Sequence, residues 1–385
     1  MPRKSLVVWA QGSADRARQA ERAGATLLAW NTRGALELLR AQVPFRDGAD
    51  LLTGEPAEVA ARTWARVWGR LPLLDGRSFR EIAEWKGDSL WWMGEAFFRS
   101  ATFAPRCVRL AETFLRLLEA EDPVEVEAAG LDPDEASLLS RAATVRGVLY
   151  HGPESARSRQ RPSIWASRGR REAWAAWARG FRPKREAASP APLAIVVAPG
   201  AEVAAAPLVA GLAGEGRVVP LVDLKDAASR RAVKEAATAR RELRVLWRRL
   251  HRSPGVNESF THRGVAFGDL AEADLAGLLL FRLPAAVRLY EAASEWLLAA
   301  RPAALVLLVP SRDDRRTLLA AARTASVTSI VLRPAETDEL DRADGGPQAD
   351  HALSGEGAKD PERLRALLGA RDPASAGAHG RVEAP

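Results

Sequence analysis

His262 and Arg263 stand side by side within Thr261-His-Arg-Gly-Val-Ala-Phe-Gly-Asp269. An imidazole next to a guanidinium can orient and neutralise a phosphate, or the imidazole can act as a base near neutral pH. Gly264 and Gly268 bracket the pair, so a defined loop between two helices is expected. The next helical stretch carries Glu291 and Glu295, four residues apart and therefore on one face. His262 and Glu291 are the candidate catalytic residues, with Glu291 as the base, and Arg263 is the candidate phosphate contact. A capping loop with solvated charges explains the same residues without any chemistry.

A second group lies in residues 78–99, where Trp85, Trp91, Trp92, Phe97 and Phe98 crowd around the turn Lys86-Gly87-Asp88. The stretch reads as helical on both sides of that turn. Trp85, Lys86, Ser89 and Trp92 can stack and hydrogen-bond a base or a sugar face. Aromatics at helical spacing also serve as core, since Trp and Phe dominate core energetics. Two further candidates follow apolar runs. Gly200, in Pro199-Gly200, can present backbone N–H groups to a phosphate or sugar, although Glu202 would repel an anion there. Asp313, in Ser311-Arg-Asp-Asp-Arg-Arg316, can bind a hydroxyl or can simply open a helix that Ser311 caps. There is no G-x-G-x-x-G, no lysine phosphate loop and no metal-ligand spacing, so neither a cofactor nor a metal is expected. The single cysteine, Cys107, excludes a disulfide within the chain and reads as a buried thiol.

The elements that must carry these residues alternate between strand and helix. Apolar runs at 5–10 and 26–30 are each followed by a helical pattern, with Ser13 as an N-cap. This spacing predicts a parallel sheet covered by helices. Helices are expected over 56–68 and twice within 78–118, then a strand over 124–129. A helix opened by Asp132 and Pro133 and a short strand at 148–150 complete this half. A second series begins with strands at 192–198 and 217–222, the latter pushed towards an edge by Pro220. A basic helix at 229–252, an apolar one at 275–298 divided by Pro284, a strand at 303–309, a helix at 313–323 and a strand at 329–332 follow.

The fold class expected is α/β. It has a Rossmann-like domain at 1–152 with a helical aromatic insertion, and a second Rossmann-like domain at 191–335. An Arg/Pro-rich linker at 153–190 joins them, and a mostly disordered tail, with a short helix over Pro361 to Leu368, occupies 336–385. At 385 residues the chain exceeds what one hydrophobic core usually supports. It is 47% hydrophobic and 27% charged, the balance of a folded protein, and carries a net charge of +7. Such a charge favours an anionic partner, although arginine also serves as a plain solubilising residue. Residues 1–10 hold too short an apolar run for a signal peptide, and no run spans a bilayer, so a cytoplasmic location is expected.

Two segments resemble a bacterial group of surface-carbohydrate, capsule-type, GT-B glycosyltransferase-like proteins. Trp85-Lys-Gly-Asp-Ser-Leu-Trp-Trp92 is similar to the group's W-x-G-x-S-L-W-W element. Residues 301–323 with Ser329-Ile-Val-Leu332 resemble the strand, loop, helix and strand that precede a Q-H-G element. At that point this chain has Leu332-Arg333-Pro334, and a polar tail follows where a full donor-binding lobe would stand. The resemblance implies two GT-B lobes and binding of a nucleotide-sugar or a glycan acceptor in an interdomain cleft, with turnover left open. An anionic membrane surface is a further partner that the basic helices allow. Nucleic acid, bound through residues 157–171 and 230–252 of a non-enzymatic scaffold, is the alternative.

Overall fold

The first strand, Ser5–Trp9, is buried from Leu6 onward and sits at the centre of a five-stranded parallel sheet. Across that sheet the order is Arg46–Asp47, Thr26–Ala29, Ser5–Trp9, Glu125–Ala129, Leu149–His151. Numbered along the chain this is 3-2-1-4-5, a doubly wound order that switches direction beside the first strand. The structure is a computed structural model that describes residues 4–48, 55–101, 104–153, 193–212, 216–226, 228–333, 346–354 and 361–369. The chain forms two units, one of residues 1–170 and 242–282, the other of 171–241 and 283–385.

In the first unit the helices start where side chains can satisfy them. Ser13 caps Ala14–Arg22, Asn31 caps Thr32–Ala41, and Asp132 with Glu135 forms a capping box on Pro133–Arg146. Between the third and fourth strands of the sheet lies the aromatic insertion. It contains helix Glu55–Trp68, the short helix Phe79–Ile82, a 3₁₀ turn Leu90–Met93, and helices Glu95–Ala101 and Ala104–Glu121. Two hairpins flank the short helix, pairing Leu74 with Arg77 and Trp85 with Asp88, and the second of them lies within the stretch expected to be helical. Their two-residue turns, Asp75-Gly76 and Lys86-Gly87, hold all four residues at positive φ, the mirror-image turn that suits hairpins.

The domain boundary expected near position 190 does not separate the units cleanly. Residues 242–282 join the first unit. The reason is aromatic packing: Phe260 and Phe267 lie 5.8 and 5.5 Å from the Trp64 ring, and Phe260 lies 5.3 Å from Trp68. Trp68 stacks on Phe98 at 4.5 Å, and Phe79 and Trp91 complete the cluster. Such ring pairs add about 0.5–1.5 kcal/mol each beyond their area. The expected linker, 153–190, lies outside the described residues apart from its first.

The second unit has its own five-stranded parallel sheet. The order is Gly216–Pro220, Leu193–Val197, Ala304–Leu308, Thr328–Arg333, His351–Ser354, or 2-1-3-4-5 along the chain. Pro220 ends an edge strand, as its missing N–H requires. Pro284 is absorbed by a π turn, Leu278–Arg282, directly before helix Leu283–Ala300.

The tail is corrected at one strand, and the short helix expected within it forms. Residues 351–354 add the fifth strand, and Asp350 accepts hydrogen bonds from the Ser329 N–H and hydroxyl at 2.7 and 3.0 Å. Helix Pro361–Gly369 places Leu364, 0% exposed, in the core with Leu353, Ile195 and Leu208. Burying each leucine is worth about 1.5–3 kcal/mol, enough to hold short apolar segments in a polar stretch. Apart from 346–350, the rest of 336–385 lies outside the described residues.

Candidate functional site

His262 sits on a hairpin in which it pairs with Val265 and Thr261 pairs with Ala266. Arg263 and Gly264 form the turn, with φ of 47° and 86°. Glycine adopts this region readily, whereas a non-glycine residue there is strained by about 1–2 kcal/mol. The strained arginine is held by two carboxylates. Its Nη1 donates to both oxygens of Glu112 at 3.3 Å, and its Nη2 donates to Glu119 at 2.6 Å.

Glu112 is the centre of the arrangement. It lies on the inward face of helix Ala104–Glu121, with its side chain only 5% exposed. It accepts from His262 Nε2 at 2.8 Å and from Arg116 Nε at 2.6 Å, besides Arg263. Burial raises the carboxyl, but hydrogen bonds from His262, Arg116 and Arg263 and the charge of Arg263 outweigh it and bring the pKa to about 2. Glu112 is therefore an anion that only accepts, so His262 Nε2 carries the hydrogen. In the neutral ring the lone pair then resides on Nδ1. A carboxylate-oriented imidazole of this kind can take a proton and be stabilised as an imidazolium.

The far side of the hairpin is clamped as well. Arg141 donates to both carboxylate oxygens of Asp269 at 2.8 and 2.7 Å and to the Ala266 carbonyl at 2.6 Å. Burial raises the Asp269 carboxyl, but the hydrogen bonds and charge of the Arg141 guanidinium outweigh it and hold it below the usual range. This planar two-bond pairing fixes direction as well as distance.

The dyad borders an open groove of about 790 Å³. One wall is a face of helix Glu55–Trp68, presenting Pro56, Val59, Ala60, Trp64 and Val67 at helical spacing. The other includes Glu112, Arg116, His262 and Arg263. Trp64 is half-buried, its Nε1 donating to the Ser259 carbonyl at 3.3 Å, while Trp68 Nε1 donates to the Ser259 hydroxyl at 3.1 Å. The groove wall is thus tied to the aromatic core.

Of the residues singled out from the sequence, His262 and Arg263 come together here. Glu291 does not: it is buried on helix Leu283–Ala300 in the other unit. Trp85 is 7% exposed, and Trp92 carries the Arg80 guanidinium over its ring at 4.1 Å. Lys86 is exposed at its turn, 5.8 Å from the Trp85 ring, and Ser89 is partly buried beyond it. Behind them Glu95 is fully buried and paired with Arg99 and Arg80. The Gly200 N–H donates to Glu202 Oε2 at 2.6 Å, so that amide is engaged by the chain itself. Asp313 is buried in the first turn of helix Arg312–Thr324, which Ser311 caps, while its neighbour Asp314 pairs with Lys225 at 3.0 Å.

Glu112, Arg116, Glu119 and Trp64 escaped the sequence reading. The signal for Glu112 was a charge inside Leu110-Ala-Glu-Thr-Phe-Leu115, an otherwise apolar stretch. Burial raises the Cys107 thiol well above its ordinary value, which removes it as a nucleophile. Among the described residues no group of three or more His, Cys, Asp or Glu is placed to hold a metal ion. Among them, too, no helix is long and apolar enough to cross a membrane.

Comparison of the chain with protein-family models, with curated proteins and with solved structures returns no match.

Proposed function

We propose that this chain is a GT-B-like protein of surface-polysaccharide biosynthesis, its units corresponding to the two lobes, whose first unit holds a glycan acceptor in the groove beside His262. The observation that carries the reading is the His262–Glu112 pair, 2.8 Å apart, on a groove lined by the half-buried indole of Trp64. An indole face suits the apolar face of a sugar, and hydroxyls suit the adjoining imidazole and guanidinium groups. Two parallel, doubly wound sheets and the Trp85–Trp92 resemblance support the same class.

In this reading His262 takes the proton of the acceptor hydroxyl through Nδ1. The hydroxyl oxygen bonds to the anomeric carbon of a nucleotide-sugar, and the bond to the leaving phosphate breaks. Glu112 stabilises the imidazolium. Positioned bases contribute about 10²–10⁴-fold. The test is a panel of uridine and cytidine diphosphate sugars with glycan acceptors, read by thermal shift and by transfer. Transfer by the native chain that drops about 10²–10⁴-fold in His262→Ala is the expected result. No binding across the panel would remove the reading.

A further inference from the structure

We infer that the outward face of helix Arg230–Leu250 is a docking surface for duplex nucleic acid, held through its phosphates and without regard to base sequence. None of the residues involved lines the groove beside His262, so the surface does not depend on the acceptor reading.

Arg230, Lys234, Arg241, Arg244 and Arg248 are all exposed on this one continuous helix. Their spacings of 4, 7, 3 and 4 residues, at about 100° per residue, keep all five within an arc of roughly 80°. The buried positions of the helix, Ala232, Ala239, Leu243 and Leu250, lie opposite that arc. The row is therefore turned to solvent, and from first to last it rises about 27 Å. The acidic residues of the helix, Glu235 and Glu242, both fall outside the arc.

Among the described residues none of these five side chains makes a hydrogen bond or an ion pair. Other exposed arginines do pair. On the same helix but off the arc, Arg231 meets Glu295 at 3.8 Å and Arg249 meets Asp75 at 2.9 Å. Elsewhere, Arg109 meets Glu58 at 2.9 Å. Within the row, Arg230 and Lys234, Arg241 and Arg244, and Arg244 and Arg248 are like charges three or four residues apart, which repel. An anionic partner relieves that repulsion.

The form of the row selects among polyanions. A helix that lies on a membrane dips Trp, Phe or Leu side chains into the lipid. Here Leu243 and Leu250 are committed to the core, and the exposed apolar residues in or beside the arc are Ala237 and Val245. Single strands are held by aromatic rings on which bases stack, and the arc has none. A straight row of cations matches a partner that is itself straight over that length. Duplex DNA has a persistence length of about 500 Å and one phosphate charge per about 1.7 Å of axis. Contacts to phosphates position a protein on the duplex and carry no sequence information directly.

The experiment measures binding of the full chain to a DNA duplex of about 20 base pairs by fluorescence anisotropy, between about 50 and 200 mM salt. Neutralising five phosphates gives a slope of log K against log salt of about −4.5 or steeper, or roughly 20-fold weaker binding for each doubling of salt. Arg241→Gln with Arg248→Gln should make the slope shallower by about 2 and weaken binding about tenfold or more at the lower salt. Arg231→Gln with Arg249→Gln removes the same charge off the arc and should leave the slope unchanged. All four side chains are exposed, and circular dichroism checks that the variants fold. Absence of duplex binding, a slope shallower than about −2, or equal losses in the two double variants would each overturn the inference. So would tighter binding of a single strand of the same length, or preference for phosphatidylserine vesicles that the arc variant loses. None of these results bears on the groove, which the sugar panel tests separately.

Discussion

The backbone N–H of Gly12 donates to the Glu37 carboxylate at 2.9 Å. Gly12 follows the first strand, at the turn where a doubly wound sheet that binds dinucleotides receives a pyrophosphate. Here a side chain of the neighbouring helix fills that role. Burial raises the Glu37 carboxyl, but the Gly12 N–H and Arg33 outweigh it and hold it below its ordinary value. The second unit repeats the device with Gly200 and Glu202. Each first-strand turn thus carries a built-in anion. Removing one, as Glu37→Ala, should lower unfolding stability by about 1–2 kcal/mol. Urea titration checks it, and an unchanged midpoint would mean that the contact does not persist in solution.

Glu112 predicts an acid dependence. A carboxyl lower in the folded chain than in the unfolded one stabilises the fold above its unfolded value of 4.5, and that contribution is lost as pH falls towards about 2. The full shift corresponds to at most on the order of 3 kcal/mol, reduced by water around the half-exposed guanidinium groups. Native stability should therefore fall over this acid window more steeply than that of Glu112→Gln. Parallel slopes in denaturant titrations at pH 5 and pH 3 would contradict the buried anion.

The turn at Arg263 separates two effects. Both Arg263→Ala and Arg263→Gly lose the pairs with Glu112 and Glu119, but only glycine relieves the positive φ. The glycine variant should be the more stable of the two by about 1 kcal/mol. Thermal melts compare them directly, and equal melting points would show that the backbone strain is absent.

Leu364 tests the second unit. Its side chain is enclosed with Leu353, Leu208 and Leu212, and the Arg365 guanidinium donates to the Gly211 carbonyl at 2.7 Å. Leu364→Ala should cost about 2–5 kcal/mol. A segment that does not join the core would show no change in unfolding.

The strands and capped helices were legible because each depends on local chemistry. Ser13, Asp132 with Pro133, and the edge-seeking Pro220 act within a few residues of themselves. The fifth strand of the second sheet was not legible, since Ala352 and Leu353 are too few apolar residues to announce it. At the site, His262 and Arg263 were visible as types. Their partner Glu112 lies 150 positions away, and no local rule links the two. Trp85 and Trp92 drew attention by crowding, yet crowding alone does not tell an enclosed ring from an accessible one. Trp64, the indole on the groove, looked unremarkable because its helix also serves the core.

Residues 242–282 return to the first unit after the chain has begun the second. During synthesis on a ribosome, which proceeds from the amino terminus, Trp64 and Trp68 emerge long before the phenylalanines that cover them. The early part of the protein must wait, its indoles uncovered, while two strands of the later sheet are made. Any truncation that stops short of Phe267 strands the nascent aromatic cluster in water, so chaperone dependence should be decided by the arrival of that segment.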